Sequence, residues 1–96
     1  MIFEWDEAKN RINREKHGPD FDAVFAFDWE GALITDRTRH GDGEQRFAAL
    51  GLYAGKIHTV VFTRRGPNIR IISLRRSNRT EQKAYETAKR KSDTRS

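Results

Sequence analysis

The segment from Lys56 to Arg76 most restricts the folds available to this chain of 96 residues. Lys56–Arg64 is rich in β-branched and aromatic residues, which favour strands, and Ile69–Arg76 has a similar composition. Residues 65–68 lie between these two runs and have Gly66-Pro67 at their centre, which is typical of a hairpin turn. Because the chain has the length of one small domain, we expect this hairpin to form the centre of its single sheet.

The segments around the hairpin predict an α+β fold. Before the hairpin, the pattern indicates a strand over 1–5, a helix from the N-cap Asp6 to His17, a short helix after the N-cap Asp20, and strands over 32–35 and 46–53. After the hairpin it indicates a last helix capped by Asn78 with Glu81. The predicted order is β-α-α-β-β-β-β-α. It corresponds to a small antiparallel β-sheet with two N-terminal helices and one C-terminal helix.

Periodicity also predicts which side chains face the core. Strict alternation along the last strand places Arg70, Ile72, Leu74 and Arg76 on one face and Ile69, Ile71, Ser73 and Arg75 on the other. The first helix has a weak apolar stripe, mainly Ala8 and Ile12. In the second helix the apolar residues Phe21, Val24 and Phe25 are expected to face the core together.

Charge is distributed unevenly along the chain. Residues 1–48 have a net charge of −4 and residues 49–96 a net charge of +9, within a total of +5. A basic half of this kind suggests a polyanionic partner, either nucleic acid or an acidic protein, although a solvated basic surface has the same composition. We expect one domain over residues 1–91, followed by a polar tail over 92–96.

Several classes of protein are disfavoured by what the sequence lacks. The absence of cysteine excludes disulfide frameworks, thiol nucleophiles and cysteine-based zinc sites. No apolar run has the length of a membrane span and no signal-peptide pattern is present, so we expect a soluble, cytoplasmic protein. The three histidines are not spaced as metal ligands. Neither a metal nor another cofactor is expected.

The predicted sheet concentrates arginines that could bind phosphate. Arg46, Arg64, Arg70, Arg75 and Arg76 lie on or beside its strands. Guanidinium groups bind phosphate oxygens in pairs, and they could also stabilise the transition state when a ribose 2′-hydroxyl attacks the adjacent phosphorus. Proton transfer could involve Lys16, His17, His40 or Glu44. Composition and spacing by themselves favour binding of a phosphate backbone over its cleavage.

Four longer motifs together resemble the BrnT family of toxins from bacterial type II toxin–antitoxin systems. They are FEWDEAKNRINREKHG, FDAVFAFD, DRTRHGDGEQRF and RIISLRRSNRTEQKAYE, in this order. The resemblance implies a RelE-like fold and a metal-independent endoribonuclease that inhibits translation and growth. It also implies a cognate BrnA-type antitoxin that binds DNA, so that DNA is contacted only through the toxin–antitoxin complex. RNA, free or on the ribosome, is the implied substrate, and no membrane partner is implied.

The resemblance also assigns residues by position. The catalytic candidates are Lys16, His17, Glu44, Arg46, Arg64 and Arg75, and the RNA-binding candidates are Trp5, Lys9, Arg70 and Arg76. Of these, Arg46, Arg64 and Arg75 would stabilise the phosphate with help from Lys16. Proton transfer would be performed by Glu44 or His17. Trp5 has a simpler interpretation as a core aromatic residue. The alternative function is an RNA- or ribosome-binding module that blocks translation by occupancy without catalysis.

Overall fold

A computed structural model of the chain describes residues 1–39, 41 and 43–93. Its elements are β1 (Ile2–Glu4), α1 (Glu7–His17), a 3-10 helix (Phe21–Phe25), β2 (Leu33–Asp36), β3 (Phe47–Tyr53), β4 (Lys56–Arg65), β5 (Asn68–Arg76) and α2 (Arg79–Asp93). The strands form one sheet in the order β1-β5-β4-β3-β2. The predicted hairpin is confirmed as β4 and β5, which lie near the centre of this sheet.

The sheet is mixed, so the prediction of a purely antiparallel sheet was wrong. β1 pairs in parallel with the start of β5, with Ile2 opposite Asn68 and Glu4 opposite Arg70. The other three strand pairs are antiparallel. Short turns set the directions of β3, β4 and β5, whereas most of the chain separates β1 from β5. No local signal therefore specifies the direction of β1.

The structure contains two α-helices among its described residues, and the prediction of three was wrong. The second predicted helix is the five-residue 3-10 helix, whose N-cap Asp20 accepts a hydrogen bond from the backbone N–H of Asp22. A 3-10 helix has three residues per turn, so Phe21 and Val24 lie above one another and are both fully buried. Phe25 is turned away from them and is 69% exposed, contrary to the expected stripe.

The main core lies on the face of the sheet that packs against the 3-10 helix. It contains Phe21, Val24, Phe27, Val60, Phe62, Ile71 and Leu74. α2 packs on the opposite face, where Tyr85 contacts Ala48 and Leu50. α2 lies over β3 and β4. The side chains of β5 on this second face therefore lie beside α2 and not beneath it.

The buried face of α1 is polar, so its predicted apolar stripe was wrong. Asn10 and Asn13 are buried, whereas Ile12 is 54% exposed. Asn13 Nδ2 donates to the carbonyl of Leu74 at 2.7 Å, and Asn13 Oδ1 accepts from the N–H of Leu74 at 3.2 Å. β1 ends at the level of Arg70. At Leu74, beyond the end of β1, an asparagine therefore takes the place of a neighbouring strand.

A β-bulge changes the faces predicted for β5. Val61 pairs with Ser73 but the next residue, Phe62, pairs with Ile71, so Ile72 is an extra residue. Arg70, Ser73 and Arg75 consequently share the face bearing α2. Ile69, Ile71 and Leu74 share the core face. The alternation expected from the sequence was wrong because it assumed a strand without a bulge.

The start of α2 confirms the predicted capping box. Glu81 N–H donates to Asn78 Oδ1 at 2.8 Å, and the Glu81 carboxylate accepts from the N–H of Asn78 at 2.9 Å. α2 extends to Asp93, into the segment predicted as a tail; residues 94–96 lie outside the described residues. Within the described part of the chain, no helix is both long and apolar enough to span a bilayer.

Candidate active site

The bulge at Ile72 assembles a polar surface on the α2 side of the sheet. Arg70 lies opposite Thr63 and Arg75 lies opposite Thr59. Thr59 and Thr63 are four residues apart on β4, so both arginines point to the same side. We call the surface formed by Thr63, Arg70, Ser73 and Arg75 the arginine face. It brings together two of the arginines that the sequence analysis singled out.

Arg75 is held by a carboxylate of the first turn of α2. Its Nη1 and Nη2 donate to Glu81 Oε1 and Oε2 at 2.7 and 2.9 Å. Glu81 is only 5% exposed and also accepts from Arg37 Nη2 at 3.4 Å. The hydrogen bonds from Arg75, more than any other contact, lower the pKa of Glu81 to about 2. Arg75 is thus a fixed cation at the border between the sheet and α2.

Arg70 is held in a similar way at the other end of the arginine face. Its Nη1 donates to Glu4 Oε2 of β1 at 2.9 Å, and the amide of Asn68 donates to Glu4 Oε1 at 3.2 Å. The Arg70 side chain remains 27% exposed. Each arginine of this face therefore has one carboxylate partner and retains access to solvent.

Glu44 joins the arginine face through Thr63. The Thr63 hydroxyl donates to the carbonyl of Gln45 at 2.7 Å and lies 3.1 Å from Glu44 Oε1. The same carboxylate oxygen lies 3.4 Å from Arg65 Nε. Arg46, two residues further on, is exposed and forms no ion pair with another described residue. The predicted pair Glu44 and Arg46 thus lies beside the sheet, with the carboxylate turned towards Thr63.

α1 places further basic side chains beside β5. Lys9, Lys16 and His17 line a shallow groove of about 200 Å³ together with Ile72 and Ser73. Ser73 also belongs to the arginine face, so this groove and the face are continuous along β5. The predicted residues Lys9, Lys16 and His17 therefore lie beside Ser73, between Arg70 and Arg75 in the sequence of β5.

Three predicted site residues lie elsewhere. The Arg64 guanidinium lies 5.7 Å from the centre of the Phe47 ring on the core side of the sheet, opposite the arginine face. Arg76 follows Arg75 directly in β5 and therefore points to the opposite face. Trp5 packs edge-on against Phe21 and belongs to the core periphery.

The histidines have separate environments. His17 is exposed at the end of α1, as described above. His58 is 7% exposed, contacts the Tyr53 ring edge-on and has Nδ1 2.9 Å from the carbonyl of Lys56. His40 lies outside the described residues. His17 is accordingly the histidine that the described structure places beside the arginine face.

Sequence reasoning missed the carboxylates that position the arginines. Glu81 was recognised as a capping residue, and nothing in its local sequence indicates its contact with Arg75, which precedes it by six residues. Arg37 was not selected, although it contacts the same carboxylate. Among the described residues no three His, Cys, Asp or Glu side chains are grouped so that they could hold a metal ion.

Comparison with known proteins gives one family match. A family model described as the ribonuclease toxin, BrnT, of type II toxin–antitoxin systems matches residues 5–81. The matched segment begins directly after β1, ends in the first turn of α2 and contains the whole arginine face. A search of curated proteins found no match.

Proposed function

The chain belongs to the BrnT family of ribonuclease toxins of type II toxin–antitoxin systems, and from this premise we propose that it cleaves RNA at the arginine face without a metal ion. The observation that supports this location is the β-bulge at Ile72. It places Arg70 and Arg75 on one surface and joins that surface to Lys16 and His17 of α1. On this surface, candidate phosphate-binding groups lie beside candidate proton-transfer groups.

The proposed reaction uses the RNA itself as nucleophile. The ribose 2′-oxygen forms a bond to the adjacent phosphorus while the bond from phosphorus to the 5′-oxygen of the next nucleotide breaks. A base removes the proton of the 2′-hydroxyl and an acid supplies a proton to the departing 5′-oxygen. The products are a 2′,3′-cyclic phosphate and a free 5′-hydroxyl. Fixed cations stabilise the charge that develops on the phosphate oxygens.

The residues divide into two proposed roles. Arg75 binds the scissile phosphate, with Arg46 and Lys16 contributing positive charge, while Lys9 and Arg70 bind neighbouring parts of the RNA. Glu44 and His17 are the candidates for proton transfer, because each lies beside the arginine face, on the Thr63 side and the Ser73 side respectively. We place Arg64, Arg76 and Trp5 outside the phosphate site, since their side chains lie on the core side of the sheet or at its periphery.

Membership of a toxin–antitoxin family implies a protein inhibitor. We propose that this inhibitor is a BrnA-type, DNA-binding antitoxin whose acidic segment covers the basic surface of the toxin. In its absence the released toxin would cleave messenger RNA in the cytoplasm and stop translation and growth. The charge of +9 over residues 49–96 gives such a segment an electrostatic target.

Primer extension on a defined messenger RNA tests this proposal. Purified protein is added to a translating extract and, in a separate reaction, to the same messenger RNA in buffer with EDTA, because EDTA itself stops translation. The Arg75→Ala variant is tested in parallel in both reactions. New 5′ ends that survive EDTA and disappear in the variant are expected, together with a cyclic phosphate at the upstream end. Translation blocked without new ends would replace cleavage by the occupancy mechanism. New ends that require a divalent ion would overturn the metal-free reaction.

A further inference from the structure

Glu81 has more partners than a helix cap requires. Its carboxylate accepts two hydrogen bonds from Arg75, one from Arg37 and one from the backbone N–H of Asn78. It is almost completely buried between β5 and the start of α2. A capping box needs only the contacts with Asn78. The additional contacts connect the helix terminus to the arginine face.

The geometry of the Arg75 guanidinium leaves part of it free. A guanidinium group has five N–H donors in one plane. Two are directed to Glu81, and a further one, on Nη1, points to the carbonyl of Arg76 at 3.5 Å. No other described residue accepts from Arg75, so its Nε–H and the second N–H of Nη2 are unused. These two lie along one edge of the plane and can bind two phosphate oxygens side by side.

We propose that Glu81 is a positioning residue of the ribonuclease, which orients Arg75 so that its free edge binds the scissile phosphate. This inference rests on the proposed function, because it requires Arg75 to act on the phosphate. Glu81 does not itself contact RNA. Its contribution is to hold the guanidinium in one orientation before the substrate binds, which removes the need to order a long side chain during the reaction.

The opposing interpretation is that Glu81 serves the stability of α2 alone. Asn78 provides the matched control, since it forms the other half of the same capping box without contacting Arg75. Asn78→Ala weakens the helix terminus and leaves the bidentate contact between Glu81 and Arg75 in place. Glu81→Gln retains an acceptor for the N–H of Asn78 but loses the charge and one of the two acceptors for Arg75.

The test compares kcat and KM for cleavage of a short RNA by the full chain and its variants. We expect Glu81→Gln to lower kcat by on the order of 10- to 100-fold with little change in KM, because a displaced catalytic group costs rate more than binding. Asn78→Ala should remain within about 2-fold of wild type, as expected for a surface change away from the reacting groups. In an Arg75→Ala background, whose residual cleavage is measured with excess enzyme over long times, Glu81→Gln should cause no further loss, since it acts through Arg75.

Three results would overturn the inference. The first is wild-type activity of Glu81→Gln when Arg75→Ala has lost most of its activity. The second is an equal loss on adding Glu81→Gln to Arg75→Ala, because a general structural defect lowers activity in both backgrounds. The third, wild-type activity of Arg75→Ala, would overturn the proposed role of Arg75 as well.

If Glu81→Gln does not fold, Glu81→Asp replaces it. This variant keeps the charge and retracts the carboxylate, so unchanged kcat in it would refute the positioning role.

Discussion

At the residue scale, the two arginines of the arginine face are each fixed by a carboxylate from another element. Arg70 is tied to Glu4 of β1 and Arg75 to Glu81 of α2. Such pairs reduce the number of orientations that a long side chain can adopt, so less conformational entropy is lost when a phosphate binds. The carboxylates also lower the net positive charge of the surface and reduce the repulsion between its arginines.

Asn13 should be the main polar determinant of stability in α1. Asn13→Ala leaves the buried N–H and carbonyl of Leu74 without their partner, and each unpaired buried group costs roughly 1–3 kcal/mol. We expect a decrease of about 3 kcal/mol in the free energy of unfolding, measured by urea denaturation. Ile12→Ala, on the exposed side of the same helix, should change it by less than about 0.5 kcal/mol. Equal losses in the two variants would contradict the edge-pairing role of Asn13.

Stability should fall in acid because of Glu81. Its pKa is about 2 in the folded protein, mainly through the hydrogen bonds from Arg75, and roughly 4.3 when unfolded. A lowered folded pKa stabilises the protein above the unfolded value, and this contribution is lost as the pH falls from about 5 to about 2. Urea midpoints over this range should decrease less steeply for Glu81→Gln than for wild type. The pKa of Asp20 is also lowered to about 2, mainly by the backbone hydrogen bond from Asp22, so both proteins lose some stability in acid. The contribution of Glu81 is the difference between the two pH dependences.

At the scale of elements, the bulge in β5 determines which side chains can act together. Arg70 and Arg75 are separated by an odd number of positions, so a regular strand would place them on opposite faces. The extra residue Ile72 reverses the alternation between them. At the same time it keeps Ile71 and Leu74 in the core. The single bulge thus keeps apolar side chains on the core face and places both arginines on the opposite face.

Strand alternation gives a direct test of the site's location. Arg64 of β4 lies against Phe47 on the core side, whereas Arg70 of β5 lies on the arginine face. Arg64→Ala should therefore retain RNA cleavage within about 3-fold of wild type, as for a change away from the reacting groups. Arg70→Ala should lower kcat/KM by on the order of 10-fold, the effect of losing about 1.4 kcal/mol of binding. If Arg64→Ala is the more damaging variant, the phosphate site does not lie on the arginine face.

At the scale of the whole molecule, RNA binding should depend steeply on salt, because the basic residues face a polyanion. For single strands the slope of log K against log salt changes by about 0.7 for each phosphate group that the protein no longer neutralises. Lys9→Ala should reduce the slope by this amount, measured with an RNA whose reactive 2′-hydroxyl is replaced by hydrogen. Arg11→Ala removes the same charge from the other side of α1, because two residues correspond to rather more than half a turn. It should leave the slope unchanged. Equal effects of the two variants would indicate attraction by net charge without a defined surface.

Features that depend on residues close together in the chain were predictable before the structure. The hairpin of β4 and β5, the limits of α1 from the N-cap Asp6 to His17, and the capping box of Asn78 with Glu81 are all short-range, and all are confirmed. The family was also recognisable, because four separate motifs occur in one order. Several candidate residues could be named from those motifs, including Lys16, His17 and Arg75.

How these parts contact one another is visible in the folded chain alone. The parallel pairing of β1, the edge contact of Asn13 with Leu74, the bulge at Ile72 and the bond between Glu81 and Arg75 each join residues whose contact has no local signal. Their physical reason is the same in each case. Buried polar groups must be paired and the core must be filled, and which side chain meets each requirement depends on how separate elements pack together.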